Sequence, residues 1–150
     1  MKFSSRTEID APPTVVFERL SDFERIESLA RERGVKVERL DDGSEGPSDA
    51  RWRIDFDYRG RSRSCDAAIA AYVPGEQIAG RGELEGLSIF GNVELVEYDP
   101  GKTRMFCTVD LKPSSMRARL LVQSLKLAKG TLDRRFAKRL NQFGKRLETT

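Results

Sequence analysis

Residues 2–9, KFSSRTEI, set Phe3, Ser5, Thr7 and Ile9 against Lys2, Ser4, Arg6 and Glu8. A period of two with one charged face predicts a strand. Ala11-Pro12-Pro13 stops it. Proline is tolerated in the first turn of a helix, and Val16, Phe17 and Leu20 follow at helical spacing. Ser21 or Asp22 then caps a second short helix that carries Phe23, Ile26 and Leu29 and ends at Gly34.

From Val35 to Leu111 the pattern is strand and turn throughout. Val35 to Leu40 is a strand, followed by the polar loop DDGSEGPSD. Trp52, Ile54, Phe56 and Tyr58 alternate with Arg51, Arg53, Asp55, Asp57 and Arg59, the clearest period of two in the chain. Arg59-Gly60-Arg61 turns into a strand whose alternation reads Cys65, Ala67, Ile69, Ala71 and Val73. Gln77 to Leu84 and Gly91 to Tyr98 are two more. After the turn Asp99-Pro100-Gly101, the residues Thr103, Met105, Cys107, Val109 and Leu111 form a last apolar face.

Pro113 ends the strands, Ser114 or Ser115 can cap, and helical periodicity then runs to Leu147. Leu125, Ala128, Leu132, Phe136, Leu140, Phe143 and Leu147 form a core-facing stripe about 120° wide at 100° per residue. A straight helix of that length would measure about 50 Å, longer than a domain of this size, so a bend or break is expected at Gly130, or else an overhanging end. Met116, Leu120 and Leu127 sit nearly opposite Leu121, Leu125 and Ala128, giving this helix a second apolar side. That side is expected to pack beneath the glycine-rich loops. The sharper alternatives are a homodimer contact or a membrane-touching lid with Arg117, Arg119, Lys126 and Lys129 at anionic headgroups.

Composition narrows the chemistry. The 150 residues fit one domain, residues 1–150, with a net charge of +3. The charge is divided unevenly. From Lys112 onward there are eleven basic residues against two acidic ones, a net of +9 on an otherwise acidic body. That field could attract phosphates, but no aromatic residues interleave on the exposed side for base stacking, which argues against nucleic acid. Histidine is absent, which removes Ser-His-Asp and Cys-His nucleophile activation and the commonest transition-metal ligand. Gly80, Gly82, Gly86 and Gly91 have the wrong spacing for a phosphate loop and are expected at strand bends or turns. No cofactor is expected. Cys65 and Cys107 read as reduced core thiols, and with no apolar leader the protein is expected in the cytoplasm.

The order strand, two short helices, about six antiparallel strands and a long C-terminal helix resembles the helix-grip fold of the START/Bet v 1-like superfamily. The carriers are "EIDAPPTVVFERLSDFERI" and "LKPSSMRARLLVQSLKLAKGTLDRRFAKRL". The resemblance implies an α+β domain in which a curved antiparallel sheet of six or seven strands is crossed on its concave face by the C-terminal helix. It also implies an internal cavity for an apolar small molecule, such as a lipid, isoprenoid or polyketide. Physical reasoning agrees, because a strongly curved sheet cannot bury its concave face alone and an amphipathic helix laid across it closes the hollow.

Small residues expected on the inner face (Ser5, Cys65, Ala67, Ala71 and Cys107) leave space there. Trp52, Phe56, Tyr58, Ile69, Leu84 and Phe90 are the candidate ligand wall, with Cys107 and Leu125 beside them. No polar set can be assigned a catalytic role. Glu94, flanked by Val93 and Leu95, could face either way and would serve as an acid or base only if it pointed inward. Three functions stay open: a carrier or sensor of an apolar small molecule, a polyketide cyclase- or dehydratase-like enzyme, or an interaction module using the basic helix.

Overall fold

The computed structural model describes residues 1–148. Its elements run β1 (Lys2–Ile9), α1 (Pro13–Leu20), α2 (Phe23–Glu32), β2 (Lys36–Arg39), β3 (Arg51–Tyr58), β4 (Arg61–Val73), β5 (Gln77–Leu84), β6 (Leu87–Asp99), β7 (Lys102–Pro113), α3 (Met116–Leu127) and α4 (Lys129–Glu148). One turn of 3-10 helix, Pro47–Asp49, precedes β3. The strands form a single antiparallel sheet in the order β1-β7-β6-β5-β4-β3-β2. This is the expected α+β helix-grip architecture.

Local chemistry explains the joints. Pro13 opens α1, whose first turn does not need its missing N–H. The Asp22 carboxylate accepts the Arg25 N–H at the start of α2, and the Ser115 hydroxyl accepts the Ala118 N–H at the start of α3. Two hairpins turn on pairs with positive φ, Arg59-Gly60 and Glu85-Gly86, which matches the twist of the flanking strands.

Register sorts the side chains between faces. Phe3, Ser5, Thr7 and Ile9 of β1 stand opposite Val109, Cys107, Met105 and Thr103 of β7, all on the inner face. The pairing carries the same face onward through Leu95, Val93, Gly91 and Ile89 of β6 to Ile78, Gly80 and Gly82 of β5. In β4 the register shifts between Ile69 and Ala71. The extra residue of that bulge reverses the alternation, so Tyr72 points inward and Ala71 and Val73 point outward. A strict period of two had placed Ala71 inside. Tyr72 takes that space, meeting the Phe17 ring edge-on with centroids 5.2 Å apart.

The main core lies under α1 and α4. Ile9, Val16, Met105, Leu95, Leu140 and Leu147 pack together there. Gly144 lets α4 approach β1: a Cβ at this position would sit 2.9 Å from Thr7 Cγ2 and 3.4 Å from Ile9 Cγ1. Arg19 of α1 donates to the Leu147 carbonyl, and the buried Thr103 hydroxyl donates to the Ala11 carbonyl at 2.7 Å.

The C-terminal helical stretch breaks two residues before the position expected. Ala128 leaves the helical conformation between α3 and α4, and Gly130 sits in the first turn of α4. The break also changes which face of α3 is buried. Ala118 and Val122 pack against Leu87, with Ile89, Leu111 and Met1 around them, whereas Ala128 is exposed. Met116, Leu120 and Leu127 do not pack beneath the loops. They are exposed, Leu127 at 92% and Met116 at 71%.

Candidate ligand-binding site

Away from α4 the inner face is only half covered. Trp52, Ile54 and Phe56 of β3, Ala67 and Ile69 of β4, and Leu84 of β5 are all half-buried. Over part of this surface α2 stands off the sheet and leaves a cleft of about 290 Å³. One wall is α2 and its flanks, with Leu20, Phe23, Ile26, Glu27, Ala30 and Val35. The other is sheet, with Val37, Trp52, Ile54 and Ile78. No residue of α3 or α4 lines it. Where α4 crosses β1 and β7 it sits over a filled core, and this cleft lies beneath α2 instead.

A second cleft of about 410 Å³ adjoins the first. Ile26, Ala30 and Val35 belong to both, and the far side is formed by Arg139, Gln142, Phe143 and Arg146 of α4. The volumes are at or near the lower end of small-molecule sites, about 300 to 1,000 Å³. A depression of about 630 Å³ follows β2 and is lined in part by Asp41, Asp42, Glu45, Arg51 and Arg81. Its charged rim does not suit an apolar guest.

Nine of the ten residues lining the α2 cleft are apolar; the tenth is Glu27. Glu27 is 8% exposed, and its two carboxylate oxygens lie 3.5 Å from Arg31 and 3.7 Å from Arg39. Those distances make ion pairs, not short hydrogen bonds, and Oε2 has no hydrogen-bond partner among the described residues. The Trp52 Nε1–H, also buried, has none either. Each unmade bond of this kind costs about 1–3 kcal/mol.

Arg39 occupies an inward position of β2, opposite Trp52. Its guanidinium lies 5.7 Å from the Phe23 ring centroid and 5.3 Å from that of Trp52. Phe23 and Trp52 meet edge-on at 5.2 Å. Arg39 also donates to both oxygens of Asp41, one at 3.0 Å, and this holds the Asp41 carboxyl well below the usual carboxylate range.

Of the eight residues expected to form the ligand wall, Trp52 alone lines the α2 cleft. Phe56 and Leu84 face the same way but lie outside it. Ile69 borders the charged depression after β2. Tyr58, 49% exposed, stands at the end of β3 with Arg59 and Arg63 over its ring. Cys107 packs against the main core, where burial pushes its thiol pKa up. Leu125 is half-buried on α3, away from the cleft.

Phe90 is on the outer face, opposite Asp110 and Arg81, with the Lys112 ammonium 5.4 Å from its ring. Its neighbours Ile89 and Gly91 take the inner positions, so period two excludes it from the wall. Glu94 is outward and exposed as well, and accepts from the Asn92 amide at 3.2 Å.

Sequence periodicity did contain a signal for the residues it missed. Phe23, Ile26, Glu27 and Ala30 fall at steps of three, one and three along one face of α2, so an acidic residue interrupts an apolar stripe. Val35, Val37 and Arg39 likewise place a charge at an inward strand position.

The family model described as "Polyketide cyclase / dehydrase and lipid transport" matches residues 1–148. A comparison with curated proteins finds no significant match. Among solved structures, the Zhui aromatase/cyclase from Streptomyces sp. R1128 superposes with a TM-score of 0.64 at 17% identity, covering 89% of this chain and 88% of that one. The protein TTHA0849 from Thermus thermophilus gives 0.65 at 16% identity, with 99% and 94% covered. A START superfamily protein from Mycobacterium smegmatis gives 0.59 at 18% identity, with 93% and 99% covered. Likeness at this level of identity speaks for the fold.

Proposed function

From the premise that the chain belongs to the polyketide cyclase/dehydrase and lipid-transport family, within the START/Bet v 1-like superfamily, we propose that it binds and carries a small apolar molecule in the cleft under α2. The apolar cleft of about 290 Å³ carries this reading. Its walls come from the end of α1, from α2 and from β2, β3 and β5, and in water they leave apolar surface that a guest would cover. Cyclisation or dehydration would need a group free to exchange a proton with the guest. Glu27 is the cleft's carboxylate and it is held between two arginines, which favours binding over catalysis.

Ala30 borders both clefts, so Ala30→Leu fills the shared space without touching the main core. N-phenyl-1-naphthylamine fluorescence should report binding by the parent protein and at least a tenfold loss in the variant, at an unchanged far-UV spectrum. Equal binding by the variant would move the site elsewhere. No uptake by a folded parent would end the carrier reading.

A membrane surface is favoured as the place of exchange by a second observation. Met116, Leu120 and Leu127 form a stripe opposite the buried Ala118 and Val122, with Arg117 on one flank and Arg119 and Lys126 on the other. No acidic residue lies on α3. A second copy brought face to face would oppose like charges, whereas an anionic bilayer accepts both the stripe and its flanks. Sedimentation with phosphatidylglycerol-containing vesicles should fall with added salt and with Leu127→Glu. Binding indifferent to both, or a dimer that Leu127→Glu dissociates, would overturn it.

A further inference from the structure

The sheet ends in two edge strands, β1 and β2, and they are finished differently. β2 has four residues, and the Val37 carbonyl on its free side already accepts from Arg31 at 2.8 Å. β1 has eight residues, with no proline and no bulge. Met1 and Leu111 exchange both backbone bonds, at 2.9 and 2.7 Å. Alternation along an antiparallel ladder then turns the N–H and C=O groups of Phe3, Ser5, Thr7 and Ile9 toward β7, and those of Lys2, Ser4, Arg6 and Glu8 away from it. Among the described residues, the outward N–H groups of Ser4, Arg6 and Glu8 have no hydrogen-bond partner. All three residues are exposed.

Such a row accepts another strand unless something blocks it. Here it opens into a groove of about 430 Å³ between β1 and α4, lined by Arg6, Thr7, Glu8, Asn141, Lys145 and Glu148. The groove is closed at one end, where Glu148 accepts the Asp10 N–H at 2.9 Å. From there back to Lys2 the edge runs about 20 Å, room for roughly six or seven residues of extended chain.

A second copy of the chain does not fit that space. α4 lies over β1 from the Phe3–Phe136 ring contact to Gly144 against Thr7 and Glu148 at Asp10. Two copies joined at β1 would set their α4 helices about 5 Å apart, whereas packed helices need about 8–10 Å. A bare strand brings no helix. Charge then selects its composition. The acids of the groove are already engaged, Glu8 by Arg104 at 2.8 Å and Glu148 by the Asp10 N–H. Lys145 is on the groove side of α4, and Arg134 and Lys138 share that side with Asn141 and Lys145 at steps of three and four. We infer that the β1 edge and the basic flank of α4 form a docking groove for an extended acidic segment of another protein. The segment pairs with Ser4, Arg6 and Glu8 as an added strand and turns alternate carboxylates toward Lys145.

The test uses the whole protein and a fluorescein-labelled peptide of alternating glutamate and threonine, with a lysine–threonine peptide as the control. Fluorescence anisotropy should show saturable binding of the acidic peptide, at least tenfold tighter than the basic one and weakened at least tenfold by Lys145→Glu or by about 0.5 M salt. N-methylation separates backbone pairing from charge, because only one alternate set of peptide N–H groups faces β1. Methylating the glutamates or the threonines should therefore cost one isomer at least tenfold and leave the other within about threefold. In the parent protein, amide exchange followed by NMR should slow at least tenfold at Ser4, Arg6 and Glu8 when the acidic peptide is added, and stay unchanged at Ser5 and Thr7. No binding of the acidic peptide, equal binding of the basic one, or unaltered exchange at those three amides would overturn the inference. A dimer in sedimentation equilibrium that protects the same three amides would overturn it as well, since a second copy would then hold the edge. Displacement of N-phenyl-1-naphthylamine by the peptide would place it in the α2 cleft and refute the groove, whereas failure of that dye to bind would end only the carrier reading.

Discussion

The two ends of one sheet have different interiors. At the β1/β7 end, α4 presses onto strands whose inner residues are sealed: Ile9 and Met105 have no exposed surface, and Gly144 removes the last side chain that would hold helix and strand apart. At the β2/β3 end, α2 covers inner-face residues that stay half-buried, with a cleft between. A band of small residues divides them, since Ala67, Gly80, Gly82 and Gly91 give the middle of the inner face almost no side chains. The same curvature that one helix fills completely is left open under the other. Stability is concentrated at one end and room for a guest at the other.

The largest expected contrast is between Met105→Ala and Val37→Ala. Met105 has no room to relax around it, so its truncation should cost about 2–5 kcal/mol. Val37 borders space that is already empty and is half-buried, so its truncation leaves little new cavity and should cost about 1 kcal/mol or less. Urea unfolding followed by far-UV circular dichroism measures both. Equal losses would mean that the α2 end is packed as tightly as the other, and the contrast would fail.

Gly144→Val probes the solid end from the opposite direction. The new side chain meets Thr7 and Ile9 on a strand fixed by full pairing with β7, so α4 must shift. Overpacking of this kind costs about 1–3 kcal/mol. A Gly→Val change in a helix exposed to solvent would instead raise stability slightly, because glycine is the poorer helix former. The sign of the change in the urea midpoint therefore decides whether α4 is seated as described.

How far this division could be read in advance depends on the kind of signal. The order of elements and the inner faces of β1, β3 and β7 follow from period-two alternation, and the α4 stripe follows from steps of three and four. The β4 bulge was not legible, because inserting one residue leaves the local composition unchanged while reversing every later side chain. Tyr72 replaced Ala71 inside for that reason. The break at Ala128 was missed for a related one. Alanine is the strongest helix former, and nothing local marks it as a terminus, whereas Gly130 looks like one. The site was legible only as a category. Aromatic residues on inward strand positions suggested a wall, but which helix stands off the sheet is a matter of packing between distant segments. Glu27 and Arg39 stand as charges in apolar positions, an irregularity that the sequence reading passed over in favour of the aromatic residues.

The smallest expected effect concerns charge at the open end. Arg39 lowers the Asp41 carboxyl below its unfolded value, so this pair stabilises the fold fully above the ordinary carboxylate range. The contribution is lost as pH falls from about 4 toward the lower folded value, because protonation of the unfolded chain then competes. Asp41→Asn has no such charge to lose. The parent protein should therefore exceed the variant in urea midpoint at pH 7 by a modest margin, and the margin should narrow at pH 3. Glu8, whose carboxylate accepts from Arg104 at 2.8 Å and is likewise lowered, gives the matching pair at the closed end. Glu8→Gln should behave in the same direction. What distinguishes the two ends is the reporter. Trp52 stacks on Arg39, so loss of the Asp41 pair should alter its emission, whereas Glu8→Gln should leave that emission unchanged. An emission change in Glu8→Gln as large as in Asp41→Asn would mean that the closed and open ends are coupled through the bare middle of the sheet rather than independent.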